Sequence, residues 1–341
     1  MKLYAGIDLH SNNSYVVLLD EADKVIYQKR LPNDPKLILE AFEPYREQVV
    51  GIVVESTYNW YWLVDQLMEA GYQVHLANVA GIQAYNGLKH TNDKTDAIWL
   101  AKLLRLGLIA EGHIYPKEKR GVRELLRRRL LLVRQQTTAV MGIQAMVTRY
   151  ENIKFTAAKI KGCKNKEAEI LNVIKDDGVR AAALSQLKIL HCVVEQMEIL
   201  EKNILGKIKS MTDFSALKTI PGIGNILAMT ILLETGNINR FDQAGNYSSY
   251  CRCVESKRIS NAKKKGENNR KNGNAYLGWA FVEAANFAIR YNEPIKKYYQ
   301  RKLGKTKKRV IAIKTIANKL SKATYFVLRD GVEFDMTKLF C

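Results

Sequence analysis

The sequence predicts an α/β domain followed by a long region that is almost entirely helical, and three observations predict it. Short apolar runs alternate with helical periodicity over the first hundred residues, strand signals fade from about residue 118, and positive charge accumulates after that point. Residues 1–110 hold ten Lys or Arg against thirteen Asp or Glu, a balance of −3, whereas the remaining residues hold 44 against 21, a balance of +23. At 341 residues the chain exceeds the size at which a single core stops growing, so two or three domains are expected.

The first domain is expected over residues 1–117. Leu3 to Asp8 reads as a short apolar strand and Ser14 to Leu19 as a second; the polar turn at Asp20-Glu21-Ala22-Asp23 leads into Val25-Ile26-Tyr27 as a third. A helix follows near 36–48, with Leu37, Leu39 and Phe42 on one face. Val49 to Glu55 is nearly all apolar, as a strand buried on both faces must be. A helix at about 59–70, a strand from Gln73 to Leu76 and helical segments from about 79 to 108 complete the domain. The order β-β-β-α-β-α-β-α, with three antiparallel strands first, is the RNase H-like arrangement rather than a doubly wound nucleotide fold.

Residues 118–210 carry interrupted heptads. Leu126, Val133, Val140 and Val147 recur every seven residues, and Leu187, Leu190, Val194, Met197, Ile204 and Ile208 alternate steps of three and four, which predicts an antiparallel helical hairpin or an oligomerising coiled coil. The run Arg127-Arg128-Arg129 reads as a solvated face as readily as a phosphate contact. The last domain, 211–341, is helical and strongly basic. It opens on Thr219-Ile220-Pro221-Gly222-Ile223-Gly224, the hairpin turn of helix-hairpin-helix modules, in which Gly222 and Gly224 would let backbone N–H groups approach a DNA phosphate.

Several function classes are set aside. An acidic residue at Asp8 interrupts the apolar start too early for a secretory signal, and no stretch reaches the ~18 apolar residues of a membrane span, so no membrane partner is expected and a cytoplasmic location is. Five cysteines at irregular spacing (163, 192, 251, 253 and 341) read as unpaired thiols rather than a zinc site. The concentrated positive charge is the footprint of a phosphate-backbone partner.

Four carboxylates stand where chemistry could be placed. Asp8 ends the first strand and Glu55 the buried one, so both emerge at one edge of the sheet; Asp93 and Asp96, three apart at a helix start, share one helix face that can point back at that edge. Hard oxygen donors gathered this way bind Mg²⁺, and two such ions can serve phosphodiester chemistry. The bland alternatives are strand-end turns and helix N-terminal charges. Ser260 lies within Ser256-Lys257-Arg258-Ile259-Ser260-Asn261-Ala262-Lys263-Lys264-Lys265-Gly266, where cations could steady an attacking alkoxide, but Ser248, Ser249 and Ser256 are close by and chain chemistry does not choose among them. Lys257, Arg258, Lys263, Lys264, Lys265, Arg270 and Lys271 are assigned to phosphate contacts.

With these residues assembled, the chain resembles the DEDD-type insertion-sequence transposases related to the Piv/MooV DNA invertases, which include the bridge-RNA-guided recombinases. The resemblance covers essentially the whole chain and rests on Gly6-Ile7-Asp8-Leu9-His10, Val54-Glu55-Ser56-Thr57, Asp93-Lys94-Thr95-Asp96-Ala97 with Leu100-Ala101, and Ile220-Pro221-Gly222-Ile223-Gly224. Beyond these, Phe241 through Tyr250, Gly273 and Tyr276-Leu277 align without a gap and lay the family's serine on Ser260. The resemblance implies a RuvC-like (Holliday-junction-resolvase-like) domain with Mg²⁺ at Asp8, Glu55, Asp93 and Asp96, a coiled-coil segment, and a C-terminal domain whose Ser260 forms a covalent link to DNA. It further implies donor and target double-stranded DNA, a structured guide RNA, and a homo-oligomer, dimer or tetramer, with composite active sites. Three positions depart from the pattern: Asn261 replaces the usual glycine after the serine, Arg252-Cys253-Val254-Glu255 replaces Gly-Leu-x-Pro, and Tyr58 stands where glycine is common. Asparagine tolerates positive φ better than most residues, so Asn261 can keep the backbone shape.

The reading is therefore a Mg²⁺-dependent DNA recombinase with a serine nucleophile. Its rivals are a junction-resolving nuclease using metal-activated water and a catalytically silent nucleic-acid-binding protein.

Overall fold

A computed structural model of the chain describes residues 1–78, 81–82, 92–164, 166–267 and 272–340. These pack as two compact units, Met1–Lys117 with Ser256–Asn272, and Glu118–Glu255 with Gly273–Cys341.

In the first unit, β1 (Leu3–Leu9), β2 (Asn13–Leu19) and β3 (Val25–Pro32) form an antiparallel meander. The turn between β2 and β3 closes because the Asp20 carboxylate accepts from the Ala22 and Lys24 amides at 2.8 and 2.9 Å, and Asp23 takes a positive φ of 64°. Helix α1 (Pro35–Phe42) starts on Asp34, whose side chain accepts from the Lys36 amide, with proline at its first turn. Strand β4 (Val49–Glu55), helix α2 (Tyr61–Glu69), strand β5 (Val74–Ala77), helix α3 (Asp93–Arg105) and the short strand β6 (Glu111–Gly112) follow. The helix expected over 36–48 stops at Phe42 and continues as a 3₁₀ turn at Glu43–Tyr45, where Pro44 removes an amide donor. The helical reading of 79–92 falls largely outside the described residues.

The six strands lie in the order β3-β2-β1-β4-β5-β6, with β4 parallel to β1, β5 parallel to β4, and β6 antiparallel to β5. Strand alternation divides the central residues between two faces. Leu3, Ala5, Ile7 and Leu9 of β1 and Ile52 and Val54 of β4 bury against Ile38 and Phe42 of α1 and Leu63 and Leu67 of α2. The opposite parity carries Gly6, Asp8, Val53 and Glu55 to the side covered by α3, where Ala97, Leu100, Ala101 and Leu103 pack. Both faces are covered, which is why these strands read as apolar runs.

The second unit opens on two long helices, α4 (Lys117–Glu151) and α7 (Asp177–Ile208), with the short α5 (Ala157–Lys161) and α6 (Ala168–Leu171) between them. Leu126 and Leu130 share a core with Ile204 and Ile208, while Ile143 and Val147 share another with Ala183 and Leu187, so the helices run antiparallel. Two of the three consecutive arginines on α4 turn inward rather than lining a solvated face. Arg127 makes a two-pronged pair with Glu234, at 2.7 and 2.9 Å, and Arg129 pairs with Glu201 of α7 at 2.8 Å; Arg128 pairs along its own helix with Glu124. Exposed charge and buried partner look alike in a linear sequence; only the packing of α4 tells them apart.

Helices α8 (Thr212–Lys218), α9 (Asn225–Thr235), α10 (Ala244–Tyr250), α11 (Ala275–Tyr291), α12 (Glu293–Thr306), α13 (Arg309–Asp330) and α14 (Thr337–Phe340) complete this unit. Strand structure returns in the segment Ser256–Asn272, where β7 (Arg258–Ser260) pairs with β8 (Lys263–Gly266). This polar, charged pair carries none of the apolar alternation that marks a strand in sequence. Cys163, Cys192, Cys251 and Cys253 are free thiols, and among the described residues no helix is long and apolar enough to cross a membrane.

Candidate active site

The site is built at the carboxyl ends of β1 and β4. Ile7 pairs with Val54 in parallel register, so the next residues along, Asp8 and Glu55, stand side by side on the α3 face. Helix α3 lies unusually close to β1: a Cβ added to Gly6 would fall 2.0 Å from the Ala97 carbonyl oxygen and 2.7 Å from the Ala101 amide nitrogen. That approach brings the first turn of α3, with Asp93 and Asp96, over the strand ends. The helix start is capped by Asn92, which accepts from the Thr95 amide at 3.0 Å while Thr95 Oγ1 accepts from the Asn92 amide at 2.8 Å. Asp93 and Asp96 are thereby relieved of the capping role that two acidic residues at a helix start usually serve.

Two further side chains enter from the sheet. His10 lies two residues past Asp8, and its Nε2 stands 3.2 Å from Asp8 Oδ2 and 3.2 Å from Asp93 Oδ1. Its backbone is pinned from two sides, because the His10 carbonyl accepts from Asn33 Nδ2 and Asn59 Nδ2, both at 3.0 Å. Ser14 Oγ in turn donates to Asn33 Oδ1 at 2.7 Å, and Thr57 Oγ1 to Asn59 Oδ1 at 2.8 Å. Arg30 arrives along a cross-strand ladder in which Asp8 pairs with Tyr15 and Tyr15 with Arg30, and it donates from Nη2 to Asp93 Oδ2 at 2.5 Å.

The electrostatics are those of crowded carboxylates. Asp8 is 3 % exposed. Burial, then a hydrogen bond to Asp8 and repulsion from Asp8 and Asp96, pushes the Glu55 carboxyl up to about 8. Asp96 is also raised, first by burial and then by the charges of Asp8 and Asp93, with His10 opposing. Asp96 Oδ1 is buried and has no hydrogen-bond partner among the described residues. A buried, unpartnered carboxylate oxygen beside like charges is costly unless a cation completes it. One ligand atom each from Asp8, His10 and Asp93 lies within 4.8 Å of the others. The 3.2 Å steps are near the separation, about 3 Å, of adjacent donors on one octahedral ion, and the donor set is dominated by hard oxygen. The residues present fit a divalent cation.

The structure thus brings Asp8, Glu55, Asp93 and Asp96 together. It adds His10 and Arg30, which the sequence reading missed: His10 was signalled only by its parity with Asp8, and Arg30 by nothing local. Ser260 belongs to the same compact unit, exposed at the end of β7 and paired across the hairpin with Lys263. The two-residue turn takes positive φ at both centres, Asn261 at 51° and Ala262 at 57°, as a type I′ hairpin requires. Asn261 therefore keeps the backbone shape that a glycine would have supplied. Lys257, Arg258, Lys263, Lys264 and Lys265 are exposed on this hairpin, whereas Arg270 and Lys271 lie outside the described residues.

Gly222 and Gly224 belong to the second unit. Gly222 has a packing role of its own, with φ at 85° and space for a Cβ denied by the Ala284 carbonyl oxygen at 2.2 Å. Gly224 is the N-cap of α9 and has no side chain to cap it.

Comparison with known families decides the affiliation. A family model described as a transposase, of the DEDD IS110 type, matches residues 5–152, and one described as the Transposase IS116/IS110/IS902 family matches residues 214–300. The chain belongs to the IS110/IS116/IS902 transposase family. It is 22% identical over 297 residues, 84% of this chain and 78% of the relative, to the transposase for insertion sequence element IS1111A of Coxiella burnetii. It is 25% identical over 146 residues to the insertion element IS110 uncharacterized 43.6 kDa protein of Streptomyces coelicolor, covering 43% of this chain and 36% of that one. The enzyme is accordingly a DNA transposase, and its metal-compatible acidic cluster falls inside the first matched segment. The Pro221–Gly224 turn and Ser260 fall inside the second.

Proposed function

We propose that this transposase cuts and rejoins DNA in an RNase H-like (RuvC-like) domain, with Asp8, Glu55, Asp93 and Asp96 holding Mg²⁺ and Ser260 as nucleophile. The observation that carries the reading is the convergence of four carboxylates, distant in sequence, around a buried Asp96 oxygen that lacks a partner. The strand order, with an antiparallel meander followed by two parallel strands, supports the RNase H-like assignment.

A bound divalent ion would supply charge neutralisation to the scissile phosphate. In the strand-cleavage step the Ser260 hydroxyl gives up its proton to solvent as its oxygen bonds to phosphorus, one bridging P–O bond breaks, and the departing deoxyribose oxygen takes up a proton from solvent. Glu55, whose carboxyl is pushed up to about 8 by burial and its acidic neighbours, would give up that proton to serve as a ligand to such an ion. Reversal with a different deoxyribose oxygen rejoins strands, and the phosphoserine link conserves the bond energy between the two events. The exposed lysines around Ser260 steady the hydroxyl and the phosphorane.

Functionally, residues 1–117 supply the acidic centre, the coiled-coil helices of 118–210 join protomers, and 211–341 supply the serine and the Gly222–Gly224 phosphate contact. Composite sites then arise in a homo-oligomer, and a structured guide RNA, related to those of the bridge-RNA recombinases and Piv/MooV invertases, selects donor and target duplexes. The strong positive charge of the chain suits that load. Incubation with Mg²⁺ and DNA should give a covalent protein–DNA adduct that Ser260→Ala abolishes. Cleavage without an adduct, undiminished in Ser260→Ala, would establish metal-activated water as nucleophile and leave the serine idle.

A further inference from the structure

Next to the Pro221–Gly224 turn lies a cleft of about 540 Å³ that neither the acidic centre nor the serine hairpin uses. One wall is the turn and the first residues of α9; the other is Phe287 and Tyr291, one helical turn apart on α11. The two rings are nearly parallel, 11° between planes with centroids 6.4 Å apart, and they are 45% and 72% exposed. They are not spare core. Helix α11 already fills its inward face with Leu277, Ala280, Phe281, Ala284, Ala285 and Ala288.

The charge around the rings favours a polyanion. Lys218 lines the cleft, no carboxylate does among the described residues, and the Arg290 guanidinium sits 5.3 Å from the Tyr291 ring centre. The unit as a whole carries 36 Lys or Arg against 19 Asp or Glu over residues 118–255 and 273–341. A protein partner would be suited by apolar surface alone; parallel aromatic rings with cations beside them suit a base and its phosphate.

We propose that this cleft stacks an unpaired nucleobase on Tyr291 and Phe287, so that the second unit recognises single-stranded or extruded nucleotides and not only duplex backbone. The proposal rests on the nucleic-acid reading of the Pro221–Gly224 turn. In a continuous duplex each base is covered on both faces by its neighbours and offers the rings nothing, whereas an unpaired base has a face to give.

The test uses the full-length protein and fluorescence anisotropy with three labelled probes at one salt concentration: an oligothymidylate, an oligouridylate and a fully paired duplex of equal length. Tyr291→Leu combined with Phe287→Leu keeps apolar bulk without rings. It should weaken single-strand binding roughly 5- to 150-fold while duplex affinity and the melting temperature stay unchanged. Tyr291→Trp should retain wild-type single-strand affinity. The stronger of the two single-strand losses identifies the guest as DNA or RNA. Equal losses on duplex and single strands, or no loss on either single strand, would overturn the proposal. Wild-type protein that binds none of the three probes would instead remove the wider nucleic-acid reading of the turn.

Discussion

Gly6 of β1 and Ala97 of α3 meet backbone to backbone, so closely that a methyl group on Gly6 would penetrate to 2.0 Å from the Ala97 carbonyl oxygen. The acidic centre depends on this approach, because it sets the height of Asp93 and Asp96 above Asp8 and Glu55.

Gly6→Ala is therefore expected to push α3 off the sheet. The neighbouring atoms are backbone and have little room to yield, so the cost should reach or exceed the 1–3 kcal/mol usual for overpacking. Denaturant unfolding of the variant should show the loss, and divalent-cation affinity should fall with it.

His10 bridges Asp8 and Asp93 and fits the same cation. His10→Ala should weaken Mn²⁺ binding, followed by electron paramagnetic resonance, by about tenfold or more, with little change in folding because the ring is partly exposed. A nitrogen donor also favours Mn²⁺ over Mg²⁺ relative to an all-oxygen site, so the loss on Mg²⁺ should be smaller. Unchanged Mn²⁺ affinity would exclude His10 as a ligand.

The Glu55 proton makes the site pH-dependent in a definite sense. Its carboxyl lies at about 8 in the folded, ion-free protein against an ordinary 4.5, so the folded state binds the extra proton. Its contribution to stability is complete below about 4.5 and is eroded as the pH rises to and through about 8. A cation competes with that proton, so the Mg²⁺-induced rise in melting temperature should be larger at pH 8.5 than at pH 6.5. In Glu55→Gln the pH dependence should be largely lost. A thermal shift that does not vary with pH in the wild type would contradict the protonated Glu55.

Glu234, 1% exposed, accepts two bonds from Arg127 of α4 and one from Asn274 Nδ2 at 2.7 Å, and Asn274 caps α11. One carboxylate thereby joins three helices. Glu234→Ala should destabilise the second unit by roughly 2–4 kcal/mol in denaturant titrations, toward the low end because the Arg127 side chain keeps solvent contact.

Ala262 is the residue least suited to its place in the Ser260 hairpin, since an alanine at φ 57° carries a left-handed cost of about 1–2 kcal/mol. Ala262→Gly should preserve or increase adduct formation on gels, and Ala262→Val should reduce it.

Much of this was determined locally. The parity of Asp8 and Glu55 at strand ends, the spacing of Asp93 and Asp96, and the heptad positions Leu126, Val140 and Val147 follow from repeats of two and about 3.6 residues, which each segment carries within itself. Other features were decided only by tertiary structure. Arg30 reaches Asp93 because the register of three strands aligns Asp8, Tyr15 and Arg30, and a shift between Leu18 and Leu19 helps set that register. Arg127 and Arg129 form part-buried ion pairs because α9 and α7 place Glu234 and Glu201 against α4. The Ser260 hairpin was invisible because its strands are polar on both faces, and its register comes from a turn geometry that backbone pairing, not hydrophobic periodicity, selects. Periodicity is a property of neighbours along the chain; who meets whom across the fold depends on register and helix placement, which no local pattern encodes.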